Sequence, residues 1–142
     1  MAIFLLVLLS YQIMLGQWTV TLKLLPVIVS QHLLGGYLIL STLWLVYLNN
    51  NSIFLAKNTG SVSKILPWAM LGFVLLFIQI MLGAWTSTNY ASLSCADFPF
   101  CLNDQPFVWH FKEAFNLFSP IGVNYEGGVL PAAIRQTIQM VH

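Results

Sequence analysis

The sequence predicts an all-α membrane protein, a polytopic helical bundle with three full transmembrane helices and the start of a fourth. Three observations lead there. Of 142 residues, 58% are hydrophobic and only 6% charged, with a mean hydropathy of +0.82, whereas a soluble domain carries about 25% charged residues. Three apolar stretches reach the roughly 20 residues that a bilayer core requires of a helix. One octapeptide also occurs twice, each time at the end of such a stretch. Gln12-Ile13-Met14-Leu15-Gly16-Gln17-Trp18-Thr19 recurs as Gln79-Ile80-Met81-Leu82-Gly83-Ala84-Trp85-Thr86, and the copies differ only where Gln17 stands against Ala84.

The first span covers residues 1–22. No basic residue precedes its apolar run and no small-x-small site follows, so it reads as a span rather than a signal peptide. A short turn over residues 23–26 leads to the second span, residues 27–48. Residues 49–64 are polar and carry Lys57 and Lys64 with no acid, which places them on the cytoplasmic or matrix side. The third span covers residues 65–86, and the long segment 87–130 then lies outside, with the N-terminus inside. The two copies therefore close outward-running helices, and their units are related by an axis along the membrane normal.

A fourth helix starts at Pro131, a residue suited to a first turn, and runs to His142. So short a helix reaches only about half way across the hydrocarbon, so the chain is expected to be part of a longer polytopic protein. Organised this way, residues 1–48 close one unit, 49–64 connect, and 65–142 open a second unit with a span, the external loop 87–130 and the short helix 131–142. The near-neutral charge offers no basic stripe for nucleic acid.

Few side chains could carry chemistry. His32 lies about two turns inside the second span, where an ionisable group is rare and usually faces the bundle interior. Neutral imidazole is an axial ligand to haem iron. Gly35 and Gly36 lie one turn on, so either a flat macrocycle or another helix could approach, and packing against a neighbouring helix is the competing role. In the fourth helix Arg135, Gln139 and His142 fall on one face. There His142 is a second candidate iron ligand, and Arg135 is either a propionate partner or an interfacial snorkel.

His110 sits in an aromatic stretch over 106–118 whose phenylalanines repeat at helical spacing. The stretch reads as a surface amphipathic helix, with His110 as interfacial polar decoration. Cys95 and Cys101 form a tight pair with Pro99 favouring a turn, either a structural disulfide or a redox-active pair; a zinc site lacks further ligands. Asp97, Asp104, Glu113 and Glu126 all lie outside the spans. With no nucleophile elbow and no phosphate-binding glycine loop, any chemistry must come from a cofactor.

Leu15-Gly16-Gln17-Trp18-Thr19-Val20-Thr21 followed by His32-Leu33-Leu34-Gly35-Gly36 resembles the third and fourth helices of the haem A synthase family. The run from Leu82 to Ala91, then Cys95-x-Asp97-Phe98-Pro99-x-Cys101, is similar to that family's fifth helix and third outer loop. Phe115-Asn116-Leu117, Asn124-Tyr125-Glu126-Gly127-Gly128 and Met140-Val141-His142 extend the likeness along essentially the whole chain. The resemblance implies an eight-helix fold made of two similar four-helix halves, each with a pair of haem-facing histidines. By the match, His32 is the second histidine of the first half and His142 the first of the second half.

The resemblance further implies oxidation of the methyl group of haem O to the formyl group of haem A, in cytochrome oxidase assembly. Haem O is then held as substrate in the first half and haem b as cofactor in the second, with Cys95 and Cys101 joined. Neither haem site is complete within these residues, so the chain alone is expected to be inactive. The family implies the bacterial or mitochondrial inner membrane. Candidate partners are the haem substrate, the lipid bilayer, haem O synthase, a thiol–disulfide protein and a second copy of the chain. Competing readings are a dihaem b-type electron carrier with the same histidines, a membrane thiol oxidoreductase centred on the cysteines, and a scaffold whose histidines only pack helices.

Overall fold

A computed structural model describes residues 2–51, 62–95, 101 and 108–142. Its elements are α1 (Ala2–Thr21), α2 (Pro26–Asn50), α3 (Val62–Thr88), α4 (Phe111–Ala114) and α5 (Ala132–Val141), and no strand occurs among the described residues. The first three are long and apolar enough to cross a membrane. Their 20, 25 and 27 residues correspond to about 30–40 Å of helix at 1.5 Å per residue. Large apolar side chains such as Ile3, Trp68 and Phe73 point outward, as they should where lipid is the solvent. The protein is an integral membrane protein.

Four hydroxyls inside the spans need no water. Ser10, Ser41, Thr42 and Thr86 each donate to the carbonyl of the residue four positions earlier, which keeps polar hydrogens satisfied within the helix. Pro67 lies near the start of α3, where one missing backbone donor is tolerated.

The repeated block ends in the same backbone figure both times. After α1, Lys23 adopts φ 52°, its amide donates to Val20, and the Leu24 amide donates to Thr19. After α3, Tyr90 adopts φ 53°, its amide donates to Ser87, and the Ala91 amide donates to Thr86. Both are Schellman closures, which satisfy the last helical carbonyls. Neither uses the customary glycine, so a left-handed residue is held here by its surroundings.

Helices α1 and α2 pack together, α2 packs on α3, and α3 packs on α5. The pair α3–α5 thus repeats the pair α1–α2, with the segment between Thr88 and Ala132 in place of a tight turn. Pro26 opens α2 at its first turn. A small core gathers where the long segment meets the helix ends. Trp85, Ala91, Ala114 and Ile138 are buried, with Val27, Phe115, Leu130 and Ile134 against them. The Trp85 indole donates to the Ala114 carbonyl at 2.8 Å, and the Tyr125 amide donates to Lys23 at 3.1 Å. That second bond fastens the long segment to the turn of the other pair.

The surface helix expected over 106–118 is not formed. Among its described residues only Phe111–Ala114 is helical; Pro106 and Phe107 lie outside the described residues. Periodicity yields here to anchoring: Ala114 is buried under Trp85, and Asn116 turns the chain by accepting from the Phe118 amide at 3.0 Å. The polar connection is also shorter than expected, because α2 continues to Asn50 and α3 begins at Val62. Lys64 therefore belongs to the first turn of α3, while Lys57 lies outside the described residues.

Candidate functional site

The block's repetition is a repeated contact between a glycine and a histidine. Gln12 and Gly16 stand four residues apart on α1, hence on one face, and that face meets His32 of α2. A Cβ at Gly16 would lie 3.4 Å from His32 Cε1 and 3.7 Å from its Nε2. In the second copy a Cβ at Gly83 would lie 3.2 Å from His142 Cε1 and 3.6 Å from its Nε2. Each glycine precedes the last residue of its helix by the same length, about 7.5 Å at 1.5 Å per residue. The fold places the two imidazoles at matching depth on matching surfaces.

Their polar partners differ. Gln79 Nε2 lies 3.1 Å from His142 Nδ1 and donates to the His142 carbonyl at 3.2 Å. In the first pair the buried atoms His32 Nδ1 and Gln12 Nε2 both lack a partner. The Gln12 carboxamide packs against Gly35, on the space a Cβ would fill, whereas a Cβ at Gly36 would meet nothing within 4 Å. The two glycines expected to admit a macrocycle or a helix thus differ in what they meet. Gly35 takes the side chain of α1, and Gly36 lines an open groove of 390 Å³ with Gln12, His32, Leu33, Tyr37 and Leu40. Such a groove is of ligand-site size, mostly apolar with a few polar points.

The α5 face expected to combine Arg135, Gln139 and His142 is divided. Gln139 is committed to the loop, accepting from the Cys95 amide at 2.6 Å and donating to Ser92 at 2.9 Å. Gln136 adds a bond to the Ser94 carbonyl at 3.3 Å. Arg135 donates through Nη1 to Tyr90 at 3.4 Å, while its buried Nε has no partner. Cys95 and Cys101 form a disulfide, and Cys101 is buried. Asp97, Pro99 and Asp104 lie outside the described residues. His110 contributes its backbone amide to Thr137 Oγ1 at 3.1 Å, so its anchoring is by main chain.

These residues fit a haem. Among the described residues no group of three His, Cys, Asp or Glu could hold a bare metal ion. Each histidine offers one ligand, which is what a macrocycle bringing its own four nitrogens needs from one side. The orphaned Arg135 Nε suits an anionic edge group. Unlike the histidines, Gln12, Gly16, Gln79 and Gly83 carry no signal in the sequence beyond their identity between the two copies.

Comparison with known proteins places the chain among relatives. The family described as cytochrome oxidase assembly protein matches residues 1–142. A heme A synthase of Shewanella oneidensis is 39% identical over 140 residues, which is 99% of this chain and 42% of that relative. The chain therefore spans less than half the length of the relative it matches. No solved structure matches it.

Proposed function

The chain belongs to the cytochrome oxidase assembly protein family, and from that premise we propose that the complete gene product is a haem A synthase. It oxidises the methyl group of haem O to a formyl group. The observation that carries this reading is the doubled glycine–histidine contact, one imidazole per helix pair at equal depth. A protein that handles two haems, one as substrate and one as cofactor, needs two such places.

In this reading His32 faces substrate haem O beside the groove at Gly36, and His142 holds haem b in the second half. Bound haem supplies the one-electron and oxygen chemistry that the side chains of this chain lack. Arg135 pairs a haem propionate through its unpartnered Nε, near the helix end where the charge costs least. Gly16 and Gly83 let each imidazole lie against the neighbouring helix without a side chain between. The eight-helix fold in two halves, with residues 1–48 closing the first and 65–142 opening the second, accounts for the pairing of α1–α2 with α3–α5. Lys57 and Lys64 set the cytoplasmic or matrix side, and the disulfide segment then lies outside, where a disulfide persists.

The test is haem extraction and mass identification from cells expressing the complete gene together with haem O synthase. Haem A appearing only with this gene supports the synthase. Haem b retained without any modified haem favours an electron carrier instead.

A further inference from the structure

We propose that Gln12 and Gln79 are positioning residues for the two histidines. Each carboxamide oxygen accepts a hydrogen bond from Nδ1–H of the facing imidazole, His32 or His142, and so fixes the tautomer whose Nε2 can bind haem iron. The inference rests on the haem-ligand reading above and adds residues that reading does not use.

Three observations lead to it. The glutamines open the two copies of the block and stand one turn before the glycines that receive the imidazoles. This spacing lets each ring be addressed at two points, its Cε1–Nε2 edge by glycine and its Nδ1 side by glutamine. In the second pair that address is made, with Gln79 Nε2 at 3.1 Å from His142 Nδ1. In the first pair both buried ends, Gln12 Nε2 and His32 Nδ1, lack partners, and both residues line the same groove.

Chemistry decides the polarity of the bond. A ring nitrogen that binds iron must present a lone pair, so the proton sits on the other nitrogen and needs an acceptor. A carboxamide offers donor and acceptor at interchangeable positions. With Oε1 toward Nδ1, Gln79 becomes that acceptor and gives up its bond to the His142 carbonyl. Gln12 does the same by turning its terminal amide from Gly35 toward His32. A neutral acceptor has a further merit inside a span: it orients the imidazole without burying the charge of the carboxylate that commonly fills this role.

The test uses the complete gene product purified with haem b, comparing Gln79→Leu, Gln79→Glu and His142→Ala with the parent. Haem midpoint potential and the rate of haem transfer to apomyoglobin are measured. Gln79→Leu should raise the potential, because a less basic imidazole favours ferric iron less, and haem should leave about ten- to a hundredfold faster. Gln79→Glu keeps an acceptor and should retain haem while lowering the potential. Parent potential and parent transfer rate in both glutamine variants would overturn the proposal. If Gln79→Leu does not fold, the potential of Gln79→Glu decides alone. An unchanged haem spectrum in His142→Ala would instead remove the ligand reading itself, a failure distinct from loss of the glutamine effect alone.

Discussion

Gly83 and His142 meet so closely that a methyl group on the glycine would stand 3.2 Å from the imidazole Cε1. The corresponding gap at Gly16 and His32 is 3.4 Å, an ordinary contact distance. Gly83→Ala should therefore displace its histidine more than Gly16→Ala does. Overpacking of this kind costs about 1–3 kcal/mol, or about a five- to hundredfold loss of haem affinity at 1.4 kcal/mol per decade. The check is the haem-to-protein ratio of the two variants in the complete gene product. Gly83→Leu should empty its site while the protein still inserts.

The two glycines after His32 separate along the same logic. Gly35 accommodates the Gln12 carboxamide, whereas nothing lies within 4 Å of a Cβ at Gly36. Gly35→Ala must turn the flexible Gln12 carboxamide off Gly35 and should lower thermal stability by about 1 kcal/mol. Gly36→Ala should leave stability within about 0.5 kcal/mol and narrow only the groove beside His32. Thermal unfolding in detergent distinguishes the two. Equal losses at both positions would mean that the helices pack by another face.

How much of this was legible depends on what carried each feature. The three spans were readable because an unbroken apolar run reports its solvent directly, whatever it packs against. His32 stood out because an imidazole among such residues is costly. The long segment was not readable, since its course is set by distant pairs: Trp85 with Ala114, Lys23 with Tyr125, His110 with Thr137. Its phenylalanines carry a helical period over 106–118, yet burial of Ala114 and the turn at Asn116 end the helix after one turn. The Schellman closures were hidden for a different reason. Lys23 and Tyr90 hold left-handed conformations with none of the glycine or asparagine that usually announces them. Gln12 and Gln79 were visible only as repeated letters until their partners were in place.

Gln139 joins the disulfide segment to the helix that carries His142, binding the Cys95 amide and the Ser92 carbonyl at once. Gln139→Leu removes both bonds, at a cost of about 1–3 kcal/mol. The Cys95–Cys101 bridge should then yield faster to a mild reductant, read as the rate of thiol alkylation. Opening the bridge by a double Cys→Ser change removes a short-loop constraint worth about 2 kcal/mol. Haem content and product formation that both survive this change mark the bridge as structural, while loss of product formation in a stable, haem-loaded protein assigns it a redox role.

Trp18 and Trp85 occupy the same position in the two copies, yet only Trp85 is buried. Trp85 is 7% exposed and donates to the Ala114 carbonyl, while Trp18 is 40% exposed. Trp85→Phe keeps most of the apolar packing but strips the donor from a carbonyl whose residue is fully buried, so the loss should be about 1–3 kcal/mol. Trp18→Phe should cost no more than about 0.5 kcal/mol. Thermal unfolding of the two variants under one set of conditions gives the comparison. Because Trp85 holds the long segment over the α3–α5 pair, its variant should also expose that segment to protease before the spans unfold. Matched stabilities and matched cleavage would show that the indole does not fasten the segment, and that the Tyr125–Lys23 bond and the Gln139 clamp hold it instead.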